Sequence, residues 1–281
     1  LSPWRLAARR FARRRAALAG LAVVLLLCGV ALAASSIAPA DPLAMPDPVG
    51  QQLRPPGMDH LMGTDLFSRD VLSRVIYGAR VSLGVGMAAA LLATLLGGLV
   101  GFAAGLGAPW LDGTLMRGVD VLLALPRVFL LLAALALWES VPIWAVTLLI
   151  AATGWFDTSR LVRGHVKSLS TSDFAIAARA LGAGRFRLSL HLLPHAASTL
   201  IVSATLDVGN IILLEAGLSM LGLGIAPPTP SWGSMIREGH DQLFTAPWVA
   251  LAPGVALVLT VAAFNLLGDG LRDALSPRQA A

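Results

Sequence analysis

Three charged residues stand inside apolar stretches of this 281-residue chain: Arg127, Asp207 and Glu215. A charge near the centre of a bilayer costs at least about 2.5–3.5 kcal/mol on insertion scales, so each needs a partner or a hydrated path. Two readings stand open for them. One makes them the lining of a solute path, with Asp207 and Glu215 as its candidates. The other makes them structural pairs, for instance Asp207 or Glu215 with Arg127, a helix end or a partner subunit. His191 and His195 have the i, i+4 spacing of metal ligands on a helix. Pro194 intervenes and disturbs the helix, and no H-E-x-x-H is formed, so no metal site is expected. The one cysteine, Cys28, allows no internal disulfide and reads as a small buried hydrophobe. The one lysine, Lys167, follows Val166, so there is no G-x-x-x-x-G-K-[ST] phosphate loop. No nucleophile–base or paired-carboxylate arrangement is present, and no catalytic residue is expected.

The elements that carry these residues follow from composition. The chain is 56% hydrophobic and only 13% charged, with a mean hydropathy of +0.76. A soluble domain carries about 25% charged residues. The shortfall excludes a soluble enzyme, a disordered chain and a fibrous repeat. The expected fold is an all-α membrane protein with six transmembrane helices of about 20 residues each. The spans are read at Ala16–Ala38, Val81–Leu106, Val119–Trp138, Pro142–Phe156, Ala196–Leu223 and Trp248–Leu267. Pro126-Arg127 interrupts the third, and the fifth holds Asp207 and Glu215. The N-terminal arginines, apolar stretch and small residues resemble a signal peptide, but Ala16–Ala34 is long enough to span and more spans follow, so it reads as a retained first helix.

The net charge is +5. Its placement speaks for topology, not for a nucleic-acid face, which needs a continuous basic stripe. Fifteen basic residues fall on one side: six in the tail, Arg117, six between spans four and five, and Arg272 and Arg278. Arg54, Arg69, Arg74, Arg80 and Arg237 fall on the other. The positive-inside rule then puts both termini in the cytoplasm. The chain divides into a basic tail (1–15), the first span (16–38), an external loop (39–77), a five-helix transmembrane domain (78–273) and a C-terminal cytoplasmic tail (274–281). A cytoplasmic segment lies at about 157–195.

That segment is the most informative. Ser170-Thr171-Ser172-Asp173 offers helix N-caps. Phe174, Ala177, Ala178 and Leu181 follow at i, i+3, i+4 and i+7, giving a short helix one apolar face. Gly182 and Gly184 can end it. The face needs lipid headgroups or a partner's groove to cover it. In span two, Gly97, Gly101 and Gly105 share one face and admit close packing, within the subunit or between subunits. In the second external loop, Trp232, Met235 and Ile236 follow a stiff Pro227–Pro230 stretch. They are candidates for contact at the outer mouth, with membrane-surface anchoring the alternative.

Phe174-Ala175-Ile176-Ala177-Ala178-Arg179-Ala180-Leu181-Gly182, followed by Leu193-Pro194, resembles the cytoplasmic "EAA" loop of ABC-importer permeases. Three further segments narrow the likeness. They are Gly63-Thr64-Asp65 with Arg69-Asp70 and Arg74 through Arg80, Leu214-Glu215 through Gly224 with Pro227–Gly233, and Phe264-Asn265 through Asp273. Together they resemble the C-type permease subunit of dipeptide, oligopeptide and nickel importers. The resemblance implies a type I importer fold and a bacterial inner-membrane location. It implies a second, B-type permease, two ATPase subunits that carry ATP and Mg, and an external solute-binding protein as partners. It implies peptide as substrate, with nickel or a nickel chelate second. It makes Phe174, Ala177, Ala178, Leu181 and Gly182 contacts to an ATPase, with Pro194 at the loop's end. Ile176 stands where the motif has glutamate. Because the resemblance includes Glu215, a structural role is favoured there. An ion-coupled secondary transporter using Asp207 and Glu215 is the rival, but it predicts inverted repeats that the sequence lacks.

Overall fold

The computed structural model describes residues 3–138, 140–182 and 184–275. The last residues of the C-terminal tail, 276–281, lie outside them. The described residues form eleven helices and one isolated bridge, Thr64 to Asp70. In chain order they are α1 (Pro3–Ala12), α2 (Arg15–Leu32), α3 (Ala34–Ile37), α4 (Val71–Leu106), α5 (Pro109–Leu123) and α6 (Arg127–Leu135). Then come α7 (Ile143–Ser170), α8 (Asp173–Ala180), α9 (Arg185–Met220), α10 (Trp232–His240) and α11 (Trp248–Leu275).

Four helices, α2, α4, α9 and α11, are long and apolar enough to cross a membrane. A fifth crossing is available if α5 and α6, bent by 74° at their break, count as one. The break falls at Pro126, where the missing N–H and fixed φ stop a continuous helix. The expected fourth span, Pro142–Phe156, is the apolar half of α7. Asp157, Arg160, Arg163 and Lys167 in its second half keep it from the apolarity of a span.

Other boundaries shift for local reasons. The second span begins at Val71, ten residues before the apolar run. Asp70 caps it by accepting from the Ser73 N–H at 2.8 Å, and Arg74 inside it is neutralised by acids. The segment 157–195 is not a separate loop. α7 and α9 extend through most of it and leave only α8 between them. Pro194 therefore lies inside α9 and not at its start. The helix continues past it, because Leu188 and Leu192 before the proline and Leu200 after it pack into one cluster with residues of α7 and α8.

The most extensive helix pair is α4 with α7, and the glycine stripe explains it. A Cβ on Gly97 would lie 2.8 Å from the Trp155 carbonyl, one on Gly101 2.7 Å from the Ser159 carbonyl, and one on Gly105 2.7 Å from Val166. The stripe thus serves packing within the chain. Around this pair sit α9, α11 and α2. α10 and α8 lie at opposite ends of α9.

Candidate functional site

α8 begins at Ser172, whose Oγ turns back to the Leu169 carbonyl, and ends at Gly182, where φ is +85°. That conformation suits glycine. Ala175 anchors the helix, fully buried among Val162, Val166, Leu188 and Leu192. The remaining apolar residues face outward. Phe174 is 41% exposed, Ile176 54% and Leu181 89%. Ala177 is exposed and Ala178 half-buried. Phe174 rests on the His195 ring at 5.2 Å, and His191 Nδ1 meets the Arg187 carbonyl. Beside α8's supporting helix, Asp112 binds Arg163 Nη2 at 2.8 Å and also Lys167, fixing α5 to α7.

Asp207 lies apart from this surface, on the wall of a cleft of about 510 Å³ between α7, α9 and α11. Thr199, Ser203, Asp207 and Asn210 fall on one face of α9 and line it. Ser203 Oγ donates to Asp207 Oδ2 at 3.3 Å. Among the described residues, no cationic group lies within salt-bridge distance of Asp207. Arg127 is within electrostatic reach of Asp207 and Asp157. It donates instead to the Ile150 carbonyl at 2.8 Å and to Thr153 Oγ1 at 3.1 Å. The polar run at four-residue spacing on an otherwise apolar helix is the sequence signal that marks this wall.

Glu215 does not line that cleft. It is fully buried, and its Oε1 accepts from Ser219 Oγ at 2.7 Å and Ser231 Oγ at 3.1 Å. Ser231 is also the N-cap of α10 in a capping box with Ser234. Glu215 therefore ties α9 to the start of α10. Trp232 and Met235 are likewise buried, and Ile236 is half-buried. The Trp232 indole N–H donates to the Val75 carbonyl at 3.0 Å and its backbone N–H to Ser82 Oγ at 3.2 Å. These side chains hold α10 against α4, and Trp232 and Met235 present no surface outward.

Beneath α10 lies a cluster that only half announces itself in sequence. Asp65, Arg69 and Arg74 meet Glu238, more than 160 residues away. Arg69 Nε binds Asp65 at 2.7 Å and its Nη2 binds Glu238 at 2.6 Å. Arg74 Nη1 bridges Asp65 at 2.5 Å and Glu238 at 2.7 Å. Burial alone would raise the Glu238 carboxyl. The hydrogen bonds and charges of Arg74 and Arg69 outweigh it and hold the group below the ordinary glutamate range. The Trp248 indole N–H caps the loop by donating to the Thr64 carbonyl at 3.1 Å.

The family described as "Binding-protein-dependent transport system inner membrane component" matches residues 93–281. The "N-terminal TM domain of oligopeptide transport permease C" matches residues 2–56. The oligopeptide transport system permease protein OppC of Mycobacterium bovis is 41% identical over 276 residues, covering 97% of this chain and 94% of the relative. A Brucella suis biovar 1 protein, provisionally named as a peptide transport system permease protein, is 39% identical over 283 residues, covering 99% and 93%. The two family matches together cover most of the chain and the relatives span nearly all of it, and the chain belongs to the binding-protein-dependent transport system inner membrane components, in the C-type branch of permeases.

Proposed function

We propose that this chain is one of two permease subunits of an ATP-driven importer of di- or oligopeptides in a bacterial inner membrane. It crosses six times, with α7 and the bent α5–α6 pair as crossings and both termini in the cytoplasm. The sidedness of its arginines supports that orientation. A B-type permease covers the face of α9 that this chain leaves bare, since only 22% of that helix's most apolar window is buried. A solute-binding protein delivers the peptide at the α10 end. Two ATPase subunits, which hold ATP and Mg, dock at the α8 end. The peptide substrate rests on the names of the relatives.

The observation that carries this reading is the outward apolar face of α8. Leu181 and Phe174 are exposed although the helix has a buried anchor in Ala175. Such a face fits a groove on a soluble partner. Movement of that partner reaches the bilayer through α7 and α9, which flank α8 and carry the cleft wall. The test is Leu181→Asp in the full complex. Leu181 is 89% exposed, so folding of this chain is unchanged. Co-purification of the ATPase subunits and ATP-driven peptide uptake fall at least about tenfold, as for a charge placed in an apolar hot spot. Uptake at the wild-type rate with ATPases still bound would sink the coupling role.

A further inference from the structure

The cleft that holds Asp207 has a second charged wall. Arg272 of α11 lines it too. α9 and α11 run antiparallel: Gly209 packs on Val261 and Phe264, and Gly268 on Leu206. Arg272, one turn beyond Gly268, is therefore level with about Val202, about 7.5 Å along the axis from Asp207 at 1.5 Å per residue, and an interaxial distance of about 8–10 Å puts the two positions about 11–12 Å apart across the cleft. The neighbouring acid on its helix, Asp273, is already bound by Arg14 at 2.7 Å. Arg272 itself is exposed, with no hydrogen bond or ion pair among the described residues. The cleft thus holds a carboxylate at its inner end and a guanidinium at its rim. Ser203, Thr199 and Asn210 supply neutral hydrogen-bonding groups around them. Neither charge is neutralised by the other or by a close partner. Arg127 is within electrostatic reach of Asp207 from α6 but is shared with Asp157 on α7, and His165 of α7 lines the same cleft.

An extended dipeptide has its ammonium and carboxylate about 6–7 Å apart, from a reach of ~3.3–3.6 Å per residue, and a hydrogen bond of about 2.8 Å at each end brings the span between the two protein groups to about 12 Å. The volume, about 510 Å³, is that of a small-ligand site, which runs from about 300 to 1,000 Å³. We infer that Asp207 and Arg272 form a charge-paired station for a zwitterionic peptide in the translocation path, Asp207 receiving the α-ammonium and Arg272 the α-carboxylate. This rests on the peptide-importer reading and assigns it specificity-determining residues on this chain. The free ends at this spacing are common to all dipeptides, so the station reads the length of the backbone and leaves the side chains unread.

The test uses the complete complex with its binding protein in proteoliposomes, ATP on the ATPase side and radiolabelled dialanine as the probe. Asp207→Asn slows ATP-dependent import about tenfold, the loss of one charge-assisted contact, and Asp207→Glu restores most of it. Arg272→Gln slows it about fivefold, and Arg272→Lys restores it. ATP hydrolysis stimulated by the loaded binding protein stays within twofold of wild type in all four, which a merely structural defect would not allow. Because Arg272 sits unpartnered at the exposed rim, its variants decide the matter should Asp207→Asn fail to assemble. Import at the wild-type rate in Asp207→Asn or Arg272→Gln, or a loss that the conservative variants do not rescue, overturns the station. A wild-type complex that imports labelled tetra-alanine but not dialanine overturns the station alone, and one that imports neither overturns the peptide reading and the station with it.

Discussion

At the α10 end, two arginines and two acids are packed into one cluster, with Asp65 and Arg74 almost without solvent. At the α8 end, the ion pairs Asp112–Arg163 and Asp120–Arg160 are partly or largely exposed, and the apolar residues of α8 point away from the chain. The two ends use the same residue types for opposite purposes. Charges withdrawn from water are strong only when every partner is present, so the α10 end is a frame that holds one geometry. Charges left in water contribute little and exchange easily, so the α8 end remains available to another chain. The molecule is rigid where its long loop folds back on the helices and open where a short helix stands between two long ones.

The comparison breaks most sharply at Arg74. Arg74→Ala leaves the Asp65 and Glu238 carboxylates to share Arg69 alone in a buried site, at a cost of about 3–5 kcal/mol. The purified complex should melt many degrees lower, or the chain should fail to accumulate in the membrane; a melting temperature within a degree of wild type would remove the frame from the account. Glu215→Ala is the next step down. It leaves the Ser219 and Ser231 hydroxyls without their acceptor, about 1–3 kcal/mol. Limited proteolysis should then cut the 221–231 loop faster, whereas Glu215→Gln keeps an acceptor and the wild-type pattern. Asp112→Asn is the smallest. Asp112 itself is buried but Arg163 and Lys167 are partly solvated, so the loss is about 1 kcal/mol. A drop in thermal stability as large as that of Arg74→Ala would erase the contrast between the two ends.

Much of the helix pattern was legible in the sequence because it is local. Runs of apolar residues specify where spans lie, Ser172 and Gly182 bracket α8 as N-cap and positive-φ stop, and the four-residue glycine spacing anticipates the close approach of α4 and α7. The polar stripe from Thr199 to Asn210 is equally local, being set by four-residue spacing on one helix. The boundaries were less legible. Arg74 and Lys167 fall outside the apolar runs read as spans, but partners elsewhere neutralise them, and the helices run through.

By itself the sequence determined the class of molecule, its apolar segments, the basic sidedness and the short helix with an apolar face. These depend on spacing along one strand of chain. Only the tertiary structure decided what each charge is for. Asp207 and Glu215 stand eight residues apart on one helix and look alike in sequence, but one lines an open cleft and the other is sealed against α10. Glu238 gives no sign in sequence of its tie to Arg69 and Arg74. The physical reason is the same in each case. The free energy of a charge depends on which groups and how much water surround it, and in this fold those groups arrive from distant parts of the chain.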